Sequence, residues 1–399
     1  MDKTVELYYE SAYLKEFEAT VISCEESKGG KYEIVLDKTA FFPEQGGQSS
    51  DVGTLTGADG KVIDVTYVSI DKANVIKHVA DAPLEVGTTV QGVIDWNHRF
   101  SNMQQHTGEH IFSGIVNSRY GYDNVGFHLS DSEVTMDYNG VLTKENVREI
   151  ERLVNQAIWE NVEVLCEFPD AQRLNEINYR SKKELTGDVR IVTVKGYDVC
   201  ACCAPHVLRT GEIGILKVTG LQNYKGGVRV NILCGKRALE YLNGQQQIVD
   251  ELSAQFTTSS ENIISAVKKL LSENISLKSD LSSTKDKLID YELKEISPAK
   301  ENVFLIKDEG TDGNSMRKIA NALAEEHKGF CGVFAGSDGA GYKFIVASGT
   351  DGKDSKEVLE ALKEQFDAKG GGNAKMVQGS MASATSKDIS ACLDSRFSA

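Results

Sequence analysis

Long apolar runs are absent from this sequence of 399 residues, and no apolar stretch opens its N-terminus. A membrane-spanning helix needs about 20 consecutive apolar residues, so the sequence offers no candidate span. Residues 1–6 also lack the apolar core of a secretory signal peptide. The composition, 40% hydrophobic and 26% charged, is that of a globular chain with two or three domains. We therefore expect a cytoplasmic protein.

Basic charge is also scarce, since 44 Lys and Arg stand against 59 Asp and Glu, a net charge of −15. A protein that coats nucleic acid non-specifically needs clustered Lys and Arg, so the net charge argues against that class. An enzyme with one local basic face is not excluded, and residues 180–237 are the candidate for such a face. Their basic residues are Arg180, Lys182, Lys183, Arg190, Lys195, Arg209, Lys217, Lys225, Arg229, Lys236 and Arg237, against the acidic Glu184, Asp188, Asp198 and Glu212.

Short alternating or apolar runs, separated by glycine turns, fill residues 1–90. The clearest are 20–24, 32–36 and 62–68, with a further candidate at 90–95. A small β-barrel closes many short strands without leaving exposed edges. We expect such a barrel over residues 1–90.

The apolar spacing becomes helical at residues 96–120 and again at 143–163. Strands are predicted near 162–167, 189–195 and 213–219. This mixture of helices and strands indicates an α+β class, with an α/β-sandwich domain over residues 91–237.

Proline is missing from residues 239–297, and the apolar spacing there becomes strict. Steps of three and four residues run from Ile263 to Tyr291, which is a heptad seam, and Asn274 falls at an a-type position. The seam suits a coiled coil between two chains or a helical hairpin within one chain. We expect a helical, coiled-coil-like linker over 238–297, and a homodimer through 263–291 and the C-terminal domain is one reading. Alternating strands and helices then predict an α/β domain over 298–399.

Two pairs of candidate metal ligands stand far apart in the chain. His106 and His110 are four residues apart in a predicted helix, which places both imidazoles on one face. Cys202 and His206 are also four apart, in a segment that Pro205 makes a loop. Chance spacing and a purely structural site are the alternatives. An N₃S set in a reducing compartment, where cysteines do not form a disulfide framework, favours one zinc ion per chain.

The eight cysteines do not settle which thiol would bind, because Cys200, Cys202 and Cys203 crowd into four positions. Glu109 lies between the paired histidines and is a candidate general base, with a solvated or supporting carboxylate as the alternative. Gln105, beside His106, is the second catalytic candidate. The four-ligand set alone does not decide between a structural and a catalytic zinc.

These motifs together resemble the editing domains of alanyl-tRNA synthetases and their free-standing relatives, the AlaX proteins. Residues 36–48 (LDKTAFFPEQGGQ) are similar to the family's glycine-rich motif, which Asp51-Val52-Gly53 continues. Residues 103–110 (MQQHTGEH), preceded by Asp95-Trp96 and Arg99, are similar to its first zinc-binding helix. Residues 202–207, followed by 210–214 (TGEIG), are similar to its CxxxH segment. By this resemblance His106, His110, Cys202 and His206 are the zinc ligands.

Three departures from the family pattern stand out. Cys203-Ala204-Pro205 replaces the usual Gly-Gly-Thr, Cys200 and Cys203 are extra thiols, and Gln45 stands where a third glycine is common. Residues 300–399 resemble the C-terminal DHHA1-type module of alanyl-tRNA synthetases, chiefly through 370–379 (GGGNAKMVQG). In that family the module contacts tRNA or supports dimerisation. Because no class II aminoacylation domain precedes the editing region, we expect the long AlaX form, which does not charge tRNA.

The resemblance implies an ATP-independent, zinc-dependent hydrolase that removes serine, with glycine as a second candidate, from the acceptor end of tRNA(Ala). An alanine pocket cannot exclude glycine by size and rejects serine imperfectly, so a second hydrolytic site is needed. The substrate-binding candidates are Thr39, Gly46, Gly47, Gln48 and Arg209, with a simple hairpin turn as the alternative for the glycines. The rival functions are a zinc-stabilised, non-catalytic RNA-binding module and a zinc hydrolase of small molecules.

Overall fold

The computed structural model describes residues 3–181 and 188–397. The chain divides into two compact units, Met1–Glu251 and Leu252–Ala399, and the division falls within a helix. Both units mix helices and strands, which confirms the predicted α+β class. Among the described residues, none of the helices combines the length and apolar character that a bilayer crossing requires.

The first unit opens with a closed barrel of six strands in the order β2-β3-β7-β6-β5-β8. The N-terminal elements are β1 (Val5–Glu6), α1 (Leu7–Glu10), β2 (Glu16–Glu26), β3 (Tyr32–Leu36), β4 (Lys38–Thr39), β5 (Gly53–Thr56), β6 (Val62–Ile70), β7 (Ile76–Ala80) and β8 (Thr89–Ile94). Alternate side chains of β8 point inward, and Ile34, Leu55 and Ile63 are among those that fill the barrel. The predicted barrel is confirmed, and the proposed border at residue 90 falls inside its last strand.

A buried helix, α2 (Trp96–Tyr120), follows the barrel directly. Asp95 caps its N-terminus by accepting from the His98 amide, and Gly121 ends it in a left-handed conformation. The bounds match those expected from the spacing. Residues 102–116 are all buried, although many of them are polar, so their hydrogen-bond partners must come from the surrounding elements.

Two antiparallel sheets and a second long helix surround α2. The four-stranded sheet has the order β14-β15-β10-β9, and the three-stranded sheet has the order β11-β12-β13. The elements are β9 (Asn124–Leu129), β10 (Val134–Tyr138), α3 (Lys144–Glu160), β11 (Val164–Glu167), α4 (Ala171–Glu176), β12 (Ile191–Val194), β13 (Asp198–Ala201), β14 (Leu216–Tyr224), β15 (Gly227–Cys234) and α5 (Gly235–Phe256). Sequence patterns missed β9, β10, β13 and β15. The helix α3, expected over 143–163, starts after a capping box that Thr143 and Asn146 form.

The second unit contains a long helix and a five-stranded sheet in the order β16-β17-β18-β20-β19. Its elements are α6 (Ile263–Lys294), β16 (Val303–Lys307), α7 (Gly313–Glu326), β17 (Phe330–Ser337), β18 (Gly341–Ser348), α8 (Lys356–Phe366), β19 (Lys369–Gly372), β20 (Met376–Met381) and α9 (Ser386–Phe397). Only β16 and β17 pair in parallel within this sheet. Ile289 of α6 packs on the core of this unit, whereas Leu270, Leu277, Leu281 and Leu288 of the predicted seam are exposed.

A buried ion pair joins the barrel to α2. Nε of Arg99 donates to both carboxylate oxygens of Asp51, at 3.0 and 2.9 Å, and Nη2 contacts the same carboxylate. The guanidinium also donates to the carbonyls of Ala12 and Ala40, and Asp51 accepts from the Phe42 amide at 2.6 Å. Neither charged side chain is exposed, so these bonds must offset the loss of water.

We expect Arg99→Met to lower the free energy of unfolding by about 3–5 kcal/mol, because it leaves the Asp51 carboxylate buried without a counter-charge. The control is Arg119→Met, which breaks the exposed Arg119–Glu149 pair and should cost at most about 1 kcal/mol. Urea unfolding followed by tryptophan fluorescence measures both, since Trp96 and Trp159 are the two tryptophans and lie in the first unit. Equal shifts of the two midpoints would contradict the prediction.

Candidate functional site

Four candidate ligands from distant parts of the chain meet in the first unit. His106 and His110 lie one turn apart on α2, and Cys202 and His206 belong to the loop after β13. Their imidazole nitrogens and thiol sulfur lie within 4.8 Å of one another. Cys202 Sγ is 3.5 Å from His106 Nε2 and 3.4 Å from His206 Nε2. Ligand atoms that share a tetrahedral zinc at about 2.0–2.3 Å lie roughly 3–4 Å apart, so this donor set fits such an ion.

Each imidazole of the cluster is oriented by a partner at its Nδ1 atom. The acceptors are Gln48 Oε1 for His106 at 2.7 Å, Asp198 Oδ2 for His110 at 2.9 Å, and Thr107 Oγ1 for His206 at 3.0 Å. The Thr107 hydroxyl donates to the Met103 carbonyl at 2.8 Å, so it can only accept from His206. In their neutral form, the three imidazoles would therefore carry the lone pair on Nε2, which is the arrangement of metal-binding histidines.

The surroundings shift the pKa values of His206 and His110 in opposite directions. Burial and the neighbouring imidazoles of His110 and His106 hold the pKa of His206 well below its usual value. Burial lowers the pKa of His110 too, but the hydrogen bond to Asp198 and nearby negative groups raise it overall. A divalent cation would compete with that proton, because a ligating imidazole must be neutral.

Of the three crowded cysteines, Cys202 is the one grouped with all three imidazoles. Cys200 forms a neighbouring group with His110 and Asp198, and burial raises the pKa of its thiol to about 11. Burial likewise raises the pKa of Cys203 to about 12. Cys203 faces the glycine loop, with its sulfur 3.2 Å from the place a Cβ would take on Gly46. The choice that the sequence left open thus favours Cys202.

The glycine-rich motif forms a tight loop beside the cluster. The amides of Gln45 and Gln48 each donate to the other's carbonyl, at 3.3 and 3.1 Å, and Gly46 and Gly47 turn between them with φ of +65° and +87°. The Gly47 carbonyl accepts from the Leu129 amide at 2.7 Å, which docks the loop on β9. Left-handed backbone of this kind favours glycine at both positions.

A cavity of about 650 Å³ opens on the cluster. Its wall includes His106, His110, Cys202, the glycine loop and three aromatic rings, Tyr9, Phe127 and Phe168. The Phe127 ring packs on that of His106, with 4.7 Å between centroids. A volume in the range of about 300–1,000 Å³ is typical of small-molecule sites.

The two catalytic candidates have different surroundings. Glu109 is buried beside the cluster, where Oε1 accepts from Ser113 Oγ and Asn124 Nδ2, both at 2.6 Å, and Oε2 lies 3.9 Å from His110 Nε2. Neither Glu109 nor Gln105 lines the cavity. The side-chain amide of Gln105 donates to the Cys234 carbonyl at 2.9 Å and accepts from the Cys234 backbone amide at 2.6 Å, which fixes α2 to β15.

The substrate-binding candidates also differ in whether they line the cavity. Gly46 and Gly47 line the cavity, whereas Thr39, Gln48 and Arg209 do not. Thr39 is buried and bonded to His78 Nε2 at 2.8 Å. Gln48 supports His106, and the Arg209 guanidinium donates to the Asn161 carbonyl.

Sequence patterns did not single out the supports of His110. Arg180 donates from Nε and Nη2 to the two oxygens of Asp198, at 2.7 and 2.9 Å, and Asp198 in turn accepts from His110. Asp198 is 88 positions from His110, so no local spacing signals this contact. The sequence showed these two residues only as charges of the basic stretch.

Part of the predicted basic face is neutralised by ion pairs. Arg180 pairs with Asp198, Lys217 with Glu151, and Arg229 with Asp137. Arg190 is buried, and Lys182, Lys183 and Glu184 lie outside the described residues. The stretch is therefore less basic at its surface than its composition suggests.

We expect Gly47→Ala to destabilise the first unit more than Gly60→Ala. Both glycines have positive φ, which costs about 1–2 kcal/mol for alanine. A Cβ on Gly47 would also lie 2.4 Å from the Phe127 carbonyl oxygen, whereas nothing lies within 4 Å of one on Gly60, so we expect a further cost of about 1–3 kcal/mol. Urea unfolding followed by fluorescence compares them, and equal losses would show that the close approach does not matter.

Two family models match parts of the chain. The one for class II (A) tRNA synthetases matches residues 2–98, and the one for the second additional domain of threonyl and alanyl tRNA synthetases matches residues 189–231. These segments contain the barrel and the loop of Cys202 and His206.

Several curated proteins are similar over longer stretches. An alanine–tRNA ligase of Methanobrevibacter smithii is 29% identical over 94% of this chain and 43% of its own length. The alanyl-tRNA editing protein AlaX-L of Pyrococcus horikoshii is 33% identical over 59% of each chain. The alanyl-tRNA editing protein Aarsd1 of Mus musculus is 29% identical over 92% of each chain. The chain thus spans less than two thirds of the ligase and of AlaX-L. Together with the family models, these similarities show that the chain belongs to the family of alanyl-tRNA editing proteins, which is similar in sequence to alanine–tRNA ligases.

Proposed function

We propose that this chain is a trans-editing hydrolase that removes serine, and glycine as a second substrate, from mischarged tRNA(Ala). The observation that carries the proposal is the buried cluster of three imidazoles and one thiol, which opens into a cavity beside a glycine loop. The editing-protein relatives support the same reaction. A cytoplasmic location follows from the need to meet charged tRNA.

His106, His110, Cys202 and His206 would hold a zinc ion. The three Nε2 lone pairs, the thiol and their mutual distances fit this ion, and the Nδ1 partners would orient the ligands as a supporting shell. When bound, zinc supplies a positive centre that can polarise an ester or orient the amino group of the substrate.

The other residues of the site would position the substrate. Gly46 and Gly47 carry no side chains, which lets the terminal ribose approach the loop backbone closely. Glu109, held by Ser113 and Asn124, is our candidate for handling the proton of the attacking water. Gln105 would act indirectly, by holding α2 against β15. Thr39, Gln48 and Arg209 would likewise support the site from behind the cavity wall.

The remaining parts of the chain would serve the RNA. We propose that an editing region follows the barrel, and that a helical linker then leads to a C-terminal DHHA1-type module, which binds tRNA or supports dimerisation. The exposed leucines of α6 support a homodimer, because an apolar seam that stays open in one chain can be covered by a second copy.

We expect the protein to deacylate Ser-tRNA(Ala) and to spare Ala-tRNA(Ala). Cys202→Ala should lose the zinc measured by mass spectrometry and the deacylation, while Cys24→Ala, a substitution in the barrel, should retain both. Asp198→Asn should weaken zinc binding by about 10- to 100-fold, because it removes the carboxylate that orients His110.

Each rival function gives a different result in these assays. A non-catalytic RNA-binding module leaves both charged tRNAs intact, and a small-molecule hydrolase does so too while cleaving a simple ester. Zinc retained in Cys202→Ala but lost in Cys200→Ala or Cys203→Ala would move the thiol ligand to that residue.

For the dimer, we expect Leu277→Asp to shift the full-length protein to monomers in analytical ultracentrifugation. The substitution removes one leucine from each chain of the dimer, and burial of each leucine contributes about 1.5–3 kcal/mol. Association should therefore weaken by more than about 100-fold. Ile275→Asp is the matched control, since this residue is 71% exposed, close to the 66% of Leu277, but lies off the seam. A monomeric parent protein, or equal effects of the two variants, would exclude this dimer.

A further inference from the structure

Phe168 is an exposed aromatic residue in the wall of the cavity. It lies between β11 and α4, is 51% exposed, and lines the same space as His106, His110 and Cys202. A single exposed apolar side chain on a convex surface needs no explanation. A half-exposed ring inside a concave site does, because such sites place aromatic groups where a ligand can cover them.

The Phe168 ring is held in place by its neighbours. It meets the Tyr9 ring edge-on, with 5.2 Å between centroids and 83° between planes. Tyr9 is itself fixed by the Tyr8 ring at 4.6 Å and by the Arg190 guanidinium, 5.4 Å from its centroid. Arg190 donates to the carbonyls of Cys202 and Ala204. An edge-on contact occupies at most one face of Phe168, so the ring is braced and keeps an open face.

The volume of the cavity exceeds what a small amino acid needs. Serine and glycine are among the smallest side chains, whereas the cavity measures about 650 Å³. In an aminoacyl-tRNA the ester is on the terminal ribose, and the terminal base is attached to the same ribose. If the ester lies at the histidine and cysteine cluster, the base must lie within one nucleoside's length of it. An aromatic ring in the same wall is then suited to receive the base.

We propose that Phe168, braced by Tyr9, is the platform on which the terminal adenine base of the charged tRNA stacks. This proposal rests on the proposed function, since it assumes that the ester reaches the cluster. Stacking of a base on an aromatic side chain contributes about 1–3 kcal/mol, which corresponds to about 5- to 150-fold in affinity. The platform binds the nucleoside and does not touch the reacting ester.

The test combines a protein variant with a substrate variant. We would compare wild type and Phe168→Ala on a seryl-charged acceptor minihelix ending in adenosine and on one whose terminal nucleotide lacks its base. With wild type, removing the base should raise KM by about 5- to 150-fold and leave kcat nearly unchanged. Phe168→Ala should show the same rise on the adenosine substrate and almost no further rise on the abasic one. Phe168→Trp should restore the low KM.

Trp159→Ala is the matched control, because this aromatic residue is 74% exposed in the same unit but does not line the cavity. It should behave as wild type on both minihelices. The proposal is overturned if Phe168→Ala loses as much on the abasic substrate as on the adenosine substrate, or if the loss is in kcat alone. Circular dichroism and zinc content, unchanged in Phe168→Ala, would confirm that the variant folds.

Equilibrium binding of the uncharged minihelices, with and without the terminal base, to wild type and to Phe168→Ala distinguishes the stacking platform from the editing function. If wild type cleaves neither charged substrate, the editing function fails. Coupling between Phe168 and the terminal base in the binding assay would still support the stacking platform, and its absence would exclude it. If wild type cleaves both substrates without such coupling, the editing function stands and the platform fails.

Discussion

The buried ion pair between Arg99 and Asp51 sets the register of the whole site. Asp51 follows the glycine loop by three residues and Arg99 precedes His106 by seven, or about two helical turns on the same face of α2. One contact between them fixes the loop against the helix at the level where Gln48 meets His106. The buried charges of Arg99 and Asp51 are tolerated because each is bonded to the other and to backbone groups of the N-terminal elements. A loop and a helix from different parts of the fold can then share one wall of a cavity.

The consequence appears on α2, where polar side chains occupy positions that an ordinary core helix fills with apolar ones. His106, His110, Thr107, Glu109 and Gln105 are all buried. Each of them has a partner from another element or from the helix itself, since buried polar groups without partners are costly. These partners lie in the glycine loop, β13, β9 and β15, so the polar side chains of α2 all have partners only when these four elements surround the helix. We therefore expect that few of its polar residues can be exchanged without loss of stability.

Local signals predicted much of this arrangement, and long-range contacts did not. The bounds of α2 and β3 follow from apolar spacing, a capping aspartate and glycine turns, which act over a few residues. Spacing also singled out His106, His110, Cys202 and His206, which the structure brings together. It did not reveal Asp198 as the partner of His110, nor that Gln105 bonds to Cys234, because those contacts span 88 and 129 positions. The strands β9, β10 and β15 were also missed, although β10 and β15 alternate apolar and polar residues, which is a strand signal.

The way an acidic protein would hold an RNA end follows from the same packing. Arg180, Lys217 and Arg229 are committed to carboxylates, so the stretch that looked basic in sequence offers less charge than its composition suggests. Affinity for phosphates grows with the number of free cations, and here that contribution is limited. Under the proposed function, recognition would then depend more on the cavity, where the glycine loop would admit the ribose and an aromatic ring would stack a base. Contacts of this kind are largely insensitive to salt, so the affinity of the site for an acceptor end should fall only shallowly with ionic strength, unlike that of a basic RNA-binding surface.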